Sequence, residues 1–261
     1  MGNRLTEAVR IQLMADVPLG LFLSGGVDST AIAALMQRSS DEPVKTFTLV
    51  FDEKAYDESA YSRIAAHHIG TEHTEVLLHG ENVRRDLPKA LAAFDQPSVD
   101  RLNTYFVSKA AREAGLTVAL SGLGGDELFG GYNGYRKALL MERWGLRFRN
   151  MPRFLRRWLL TFFNHHSGEY LSRIADLIQT RHRPYFLTRE LFTSQQVADL
   201  LIPDVLTASQ NWQPFTFDKL TTETKGYDPI NRASALELQT YMVSTLLRDT
   251  DQMSMAHGLE V

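Results

Sequence analysis

The chain has 261 residues, 28 Lys+Arg against 31 Asp+Glu for a net charge of −3, 44% hydrophobic residues and no cysteine. That length carries a buried core in one large domain or two small ones, and 23% charged residues with 10% aromatics exclude a disordered chain. The missing cysteine excludes disulfides, thiolate metal sites and cysteine nucleophiles, and the near-neutral balance gives no pull toward nucleic acid or an anionic membrane.

The first stretch, residues 1–20 (MGNRLTEAVRIQLMADVPLG), lacks the apolar run of a signal peptide. Leu5, Ala8, Val9 and Leu13 recur at helical spacing until Pro18 ends the segment. Residues 19–23 (LGLFL) are a short apolar run that stops in a Ser-Gly-Gly turn, and residues 30–36 (TAIAALM) predict a helix just behind it. The pattern repeats: a strand at 44–51, a helix at 58–69, a strand at 73–78, helices at 83–94 and 105–114, and a fourth strand at 117–120. This alternation predicts βαβ units, hence an α/β fold with a parallel twisted sheet and helices on both faces. Beyond Tyr135 strand patterning fades, while helical periodicity persists at 171–178, 195–201 and 233–247. The expected division is an α/β part, 1–135, and a mostly helical part, 136–261. No apolar run approaches the ~20 residues of a membrane span, so a soluble, cytoplasmic protein is expected.

Residues 136–157 hold eight basic residues and one acid, with Trp144, Phe148 and Phe154 interleaved. Such a mixture can contact RNA. The mildly acidic chain favours the plainer alternative, an amphipathic helical hairpin with rings packed inward and arginines in water.

Two segments carry the chemistry. Ser24-Gly25-Gly26-Val27-Asp28-Ser29 follows an apolar strand and precedes a helix, which makes it an anion site from backbone N–H groups and the positive helix end. Gly25 and Gly26 let phosphate oxygens approach the backbone, and Ser24 and Ser29 add hydroxyls. Asp28 would repel a phosphate unless a divalent cation bridges them. The spacing and lysine of a Walker A loop are missing. Ser121-Gly122-Leu123-Gly124-Gly125-Asp126-Glu127 repeats this logic after the fourth strand. If the two strands are neighbours where strand order reverses, both loops face one crevice and Asp28 and Asp126 can share the cation. The competing reading, two Gly-rich turns with capping residues, must then explain an acid behind the glycines twice.

The SGGVDS segment resembles the PP-loop of ATP pyrophosphatases, which cleave ATP between the α- and β-phosphates. Residues 120–132 (LSGLGGDELFGGY), with 56–62 (YDESAYS), 69–75 (IGTEHTE) and 251–261 (DQMSMAHGLEV), are similar to the synthetase domain of asparagine synthetase B-type amidotransferases. The resemblance implies ATP and Mg2+ as cofactors. It implies that a substrate carboxylate, aspartate in the leading case, is adenylated with release of pyrophosphate, and that ammonia then displaces AMP. Ser24, Gly25, Gly26, Asp28 and Ser29 match the pyrophosphate loop, Asp28 and Asp126 the magnesium-binding acids, and Ser121 and Gly122 nucleotide contacts. Phe22 and Leu49 match positions lining the adenine pocket, with plain core packing the alternative. Glu127 either assists the metal or holds the loop, and Gly131 and Tyr132 complete the motif in packing. Arg248, Asp249 and Asp251 either reach the crevice or form a structural ion pair, and Glu260 is a structural contact.

Three departures qualify the resemblance. Position 123 is Leu, where some asparagine-forming relatives carry a glutamate that acts on the attacking ammonia. The glutaminase domain of the glutamine-dependent members is not in this chain, which with no cysteine is expected not to hydrolyse glutamine. Relatives continue beyond HGLEV with an arginine and a later lysine, so the sequence reads as a truncated domain. Other carboxylate ligases of this type (β-lactam-forming, peptide-cyclising, sugar-carboxylate-amidating) and tRNA-modifying PP-loop ligases are the alternatives. A homodimer is compatible with this reading; no nucleic acid or membrane partner is expected.

Overall fold

The computed structural model of the chain describes residues 2–51, 59–96, 98, 101–149, 151–152, 154–155, 184–209 and 215–261. The helix expected at 171–178 lies outside them. Two compact units are present: Met1–Gly125 with Met242–Val261, and Asp126–Tyr241.

The first unit contains a four-stranded, wholly parallel sheet in the order β3-β2-β1-β4. Its strands are β1 (Leu19–Phe22), β2 (Lys45–Phe51), β3 (Glu72–Leu78) and β4 (Val118–Leu120). They alternate with α1 (Gly2–Gln12), α2 (Val27–Arg38), α3 (Ser59–Ile69), α4 (Gly80–Ala92) and α5 (Arg101–Glu113). Period-2 alternation sends neighbouring residues to opposite faces of the sheet. Leu21 is fully buried with Val9, Ala33, Met36 and Ala66 from α1, α2 and α3, whereas Phe22 packs with Phe47, Ala111 and Leu116. A further cluster joins Leu49 and Leu78 to Ala90, Tyr105, Phe106 and Met253. This is the doubly covered parallel sheet that the sequence predicts.

The chain runs outward from β1 through β2 to β3, then returns to place β4 on the other side of β1. Strand order therefore reverses between β1 and β4, which pair in parallel with Leu19 opposite Val118 and Leu21 opposite Leu120. Ligand crevices of open parallel sheets form at the carboxyl ends of such a pair. Both glycine loops leave from those ends.

The units divide at Gly125/Asp126, inside the short helix α6 (Gly125–Phe129). The last residues return to the first unit, where Glu260 bridges to Val118 in parallel. The Ala119 N–H donates to the Glu260 carbonyl at 2.8 Å, and the Glu260 N–H to that of Thr117 at 3.0 Å. So short a backbone bridge leaves no alternation in the sequence to read.

The second unit is helical: α7 (Asn133–Arg149), α8 (Pro184–Leu187), α9 (Ser194–Leu200), α10 (Pro203–Ser209), α11 (Phe215–Glu223) and α12 (Pro229–Glu237). Tyr135, Tyr185, Phe186, Leu220, Ala233 and Leu236 form its core. Local signals set the helix starts. Thr193 and Gln196 make a reciprocal capping box ahead of α9, and Asp228 caps α12, with Pro229 in the first turn. A π-helical stretch, Leu238–Leu247, follows and leads into α13 (Arg248–Met255). The inward packing expected of the aromatic residues in 136–157 is not met at Trp144 or Phe154, 49% and 76% exposed. Arg147 instead lies over the Trp144 ring, 5.3 Å from its centroid; the side chain of Phe148 lies outside the described residues. Among the described residues no helix is long and apolar enough to cross a membrane.

Candidate active site

The first loop is closed by its own side chains. The Leu23 N–H donates to the Phe47 carbonyl at 2.8 Å, so pairing with β2 runs just past the end of β1. The chain then turns through Gly25, whose φ of +79° lies in the region that favours glycine. A Cβ on Gly25 would stand 2.7 Å from that of Tyr61, so the start of α3 sits against the loop. That contact involves the end of the 56–62 motif; residues 52–58 lie outside the described residues. The Ser24 and Ser29 hydroxyls are 3.0 Å apart, the Gly26 N–H donates to Ser24 Oγ and Ser29 Oγ donates to the Gly26 carbonyl, both at 3.3 Å. Gly26, in extended conformation, is the N-cap of α2 and supplies no side-chain acceptor. An incoming anion can take that role.

The second loop packs on the first. A Cβ on Gly122 would lie 2.7 Å from the Ser29 nitrogen and 3.1 Å from its Cα, so backbone meets backbone at the first turn of α2. Gly125 leaves room for the Asp28 carboxylate, into which a Cβ there would run. The structure thus gathers Ser24, Gly25, Gly26, Asp28, Ser29, Ser121 and Gly122 at the switch point. Phe22 and Leu49 lie at the edges of two core clusters, half-buried.

In the second unit, the Asp126 carboxylate fills the space where Gly131 has no side chain. Glu127 is 1% exposed. Its carboxylate accepts from the Tyr132 hydroxyl at 2.8 Å, and its carbonyl accepts from the Tyr135 hydroxyl at 2.7 Å and Ser234 Oγ at 2.6 Å. Burial, then the Glu127 hydrogen bond and charge, push the Tyr132 hydroxyl well above the usual tyrosine range, so it stays a donor. These bonds tie Glu127 to Tyr132, Tyr135 and Ser234 within the second unit.

Comparison with known proteins agrees with this architecture. The family model described as asparagine synthase matches residues 1–261. The chain belongs to the asparagine synthase family. It is 30% identical to "Asparagine synthetase [glutamine-hydrolyzing] 1" of Bacillus subtilis over 99% of this chain and 40% of that protein. It is 31% identical to a putative asparagine synthetase of Mycobacterium tuberculosis over 98% of this chain and 39% of that protein. It is also 25% identical to "Amidase chry2" of Gibberella zeae over 99% of this chain and 42% of that protein. The chain therefore spans about two fifths of the length of these relatives.

At the position that departs from some asparagine synthetases, Leu123 is 38% exposed, and its N–H donates to Ser121 Oγ at 3.3 Å. Sequence reasoning missed Arg101, which is fully buried. It pairs with Asp95 at 2.9 Å and Asp249 at 2.7 Å, donates to Gln252, and lies 5.4 Å from the centroid of the Phe94 ring. Burial pushes the Asp249 carboxyl up, but hydrogen bonds from Ser98, Arg101 and Arg248 outweigh it and hold the group below the usual carboxylate range. Asp249 is thus a buried structural partner that ties α13 to the start of α5. Arg101 and Asp249 lie far apart in the chain, so no spacing rule could have joined them.

Proposed function

We propose that this chain is the ATP-dependent amide-forming unit of its protein. In the proposed reaction an oxygen of a substrate carboxylate attacks the α-phosphorus of ATP, and pyrophosphate leaves. Ammonia then attacks the acyl carbon, loses a proton and displaces AMP, leaving an amide. Aspartate going to asparagine is the leading reaction, with ammonia supplied by a glutaminase domain outside this chain. The observation that carries the reading is the close approach of Gly122 to the backbone of the first turn of α2, beside the Ser24 and Ser29 hydroxyls, and of Gly125 to the Asp28 carboxylate.

Each group has a role in this reading. The N–H groups around Gly26 and the Ser24 and Ser29 hydroxyls receive the pyrophosphate; Ser121 and Gly122 hold the nucleotide, and Phe22 and Leu49 border its base. Asp28 and Asp126 would hold Mg2+; their carboxylate oxygens and the half-exposed Asp28 suit a hard cation. When bound, magnesium supplies charge neutralisation to the leaving group. Most of the rate enhancement then comes from positioning and electrostatics.

A second reading, the same chemistry on a different carboxylate, is favoured by Leu123, which cannot move a proton, and by the amidase-named relatives. Aspartate-dependent ATP–pyrophosphate exchange with magnesium, run on the full-length protein, separates the two. Exchange that requires aspartate is expected. Exchange supported only by another carboxylate would transfer the assignment to the second reading, and none with any carboxylate would overturn both.

A further inference from the structure

Arg189, two residues past the end of α8, stands out in the second unit. Its guanidinium pairs with Glu237, a carboxylate only 2% exposed, while Arg189 itself is 35% exposed. The same guanidinium lies over two rings, 4.2 Å from the centroid of Tyr241 and 5.3 Å from that of Tyr132. Tyr185 donates its hydroxyl to Glu237, fixing that carboxylate in turn. A planar cation held by one buried acid and two aromatic faces has little freedom left.

The clamp leads toward chemistry. Tyr132, one of the two rings, donates to the buried carboxylate of Glu127 at 2.8 Å. Glu127 adjoins Asp126, whose carbonyl accepts from the Gly130 and Gly131 N–H groups at 2.9 Å and 3.0 Å, closing the turn over its carboxylate. We propose that Arg189 is a positioning residue that, through Tyr132 and Glu127, fixes the direction of the Asp126 carboxylate toward the divalent cation. This rests on Asp126 being a metal-binding acid, as proposed above. Glu237 pairs with Arg189, and the guanidinium reaches Tyr132 through its place over that ring.

Lysine at this position keeps the charge opposite Glu237 but has no planar fork to hold that carboxylate while facing both rings. The test measures Mn2+ binding in the presence of ATP by electron paramagnetic resonance on the full-length protein, for wild type, Arg189→Lys and Asp126→Asn, with melting temperatures alongside. In Arg189→Lys, Mn2+ affinity should fall about tenfold or more, the usual range for partners that orient metal ligands, while the melting temperature stays near wild type. Unchanged affinity in Arg189→Lys, with a loss in Asp126→Asn, overturns the role of Arg189 and leaves the metal reading standing. Unchanged affinity in Asp126→Asn overturns the metal reading, and the inference with it. If Arg189→Lys does not fold, the double variant Arg189→Met/Glu237→Gln, which buries no unpaired charge, carries the same two outcomes.

Discussion

The two glycine loops share a pattern of strand, glycines and acid, and they are held in different ways. The first is braced within itself: hydrogen bonds between Ser24, Gly26 and Ser29 span at most five residues. The second is braced partly from a distance: Glu127 is held by Tyr132 and Tyr135, five and eight residues on, and by Ser234, 107 residues away. A loop made by local bonds keeps its shape wherever its strand and helix form. A loop made by remote bonds depends on packing elsewhere, and its chemistry can be lost without touching it. The bonds that shape the first therefore lie within six adjacent residues, and those that shape the second reach from Glu127 to Ser234.

The largest effects should come from removing the acids of each loop. Asp28→Asn and Asp126→Asn should each lower magnesium-dependent pyrophosphate exchange by about 10²–10³-fold or more, the scale of losing one preorganised charge-stabilising group. The double variant should lose little beyond the worse single one, because the two act as a unit. Near-wild-type exchange in either would break the comparison, since only one loop would then carry chemistry.

Next in size is the contact between the loops. Gly122→Ala places a Cβ 2.7 Å from the Ser29 nitrogen, where backbone has no easy retreat. Such overpacking costs about 1–3 kcal/mol, and exchange should fall with it; an unchanged denaturation midpoint and rate would show that the loops are not in fixed contact.

Tyr132→Phe leaves the buried Glu127 carboxylate short of a donor, a loss of about 1–3 kcal/mol. Urea denaturation should register it, and a variant as stable as wild type would mean that the second loop does not rely on this brace. Ser29→Ala in the first loop should lower stability in urea less, by about 0.5–1.5 kcal/mol, since the partners of its hydroxyl among the described residues are Ser24 and the Gly26 carbonyl.

The smallest effect is one of pH, and it belongs to the first unit. Burial lowers the pKa of His73 and of His257, the first also feeling Glu75 and Arg63 and the second Lys109 and Glu113. A base whose folded pKa is depressed binds fewer protons folded than unfolded, so its stabilising effect is complete above the ordinary histidine pKa and fades below it. Asp249, an acid held low, loses its contribution only further down, below the ordinary carboxylate range. Urea midpoints should therefore decline from pH 7.5 to pH 5 and fall again below pH 4; a flat profile above pH 5 would mean that neither imidazole is buried neutral.

The fold and the candidate site were legible to different depths. The four strands and the helices of the first 120 residues follow from alternation, turn glycines and Pro18, all local signals. The switch point followed once β1 and β4 were neighbours, a pairing that the sequence allows but does not state. Three features were out of reach for a physical reason. The bridge of Glu260 to Val118, the Arg101–Asp249 pair and the Arg189 clamp each join residues separated by a whole unit or several helices. The π-helical stretch hides inside ordinary helical periodicity, since its apolar residues read as a continuation of α12.

The bridge at Glu260 has a consequence for synthesis. As the nascent chain leaves the ribosome, β4 is complete at Leu120, but the backbone that pairs with it arrives some 140 residues later. Until then the outer edge of β4 offers unpaired N–H and C=O groups to whatever strand comes near. Closing so long a loop is slow more than it is unfavourable. The hazard is therefore one of timing: this protein is most vulnerable to mispairing while residues 126–241 are being made, and a chaperone that shields strand edges would act in that window.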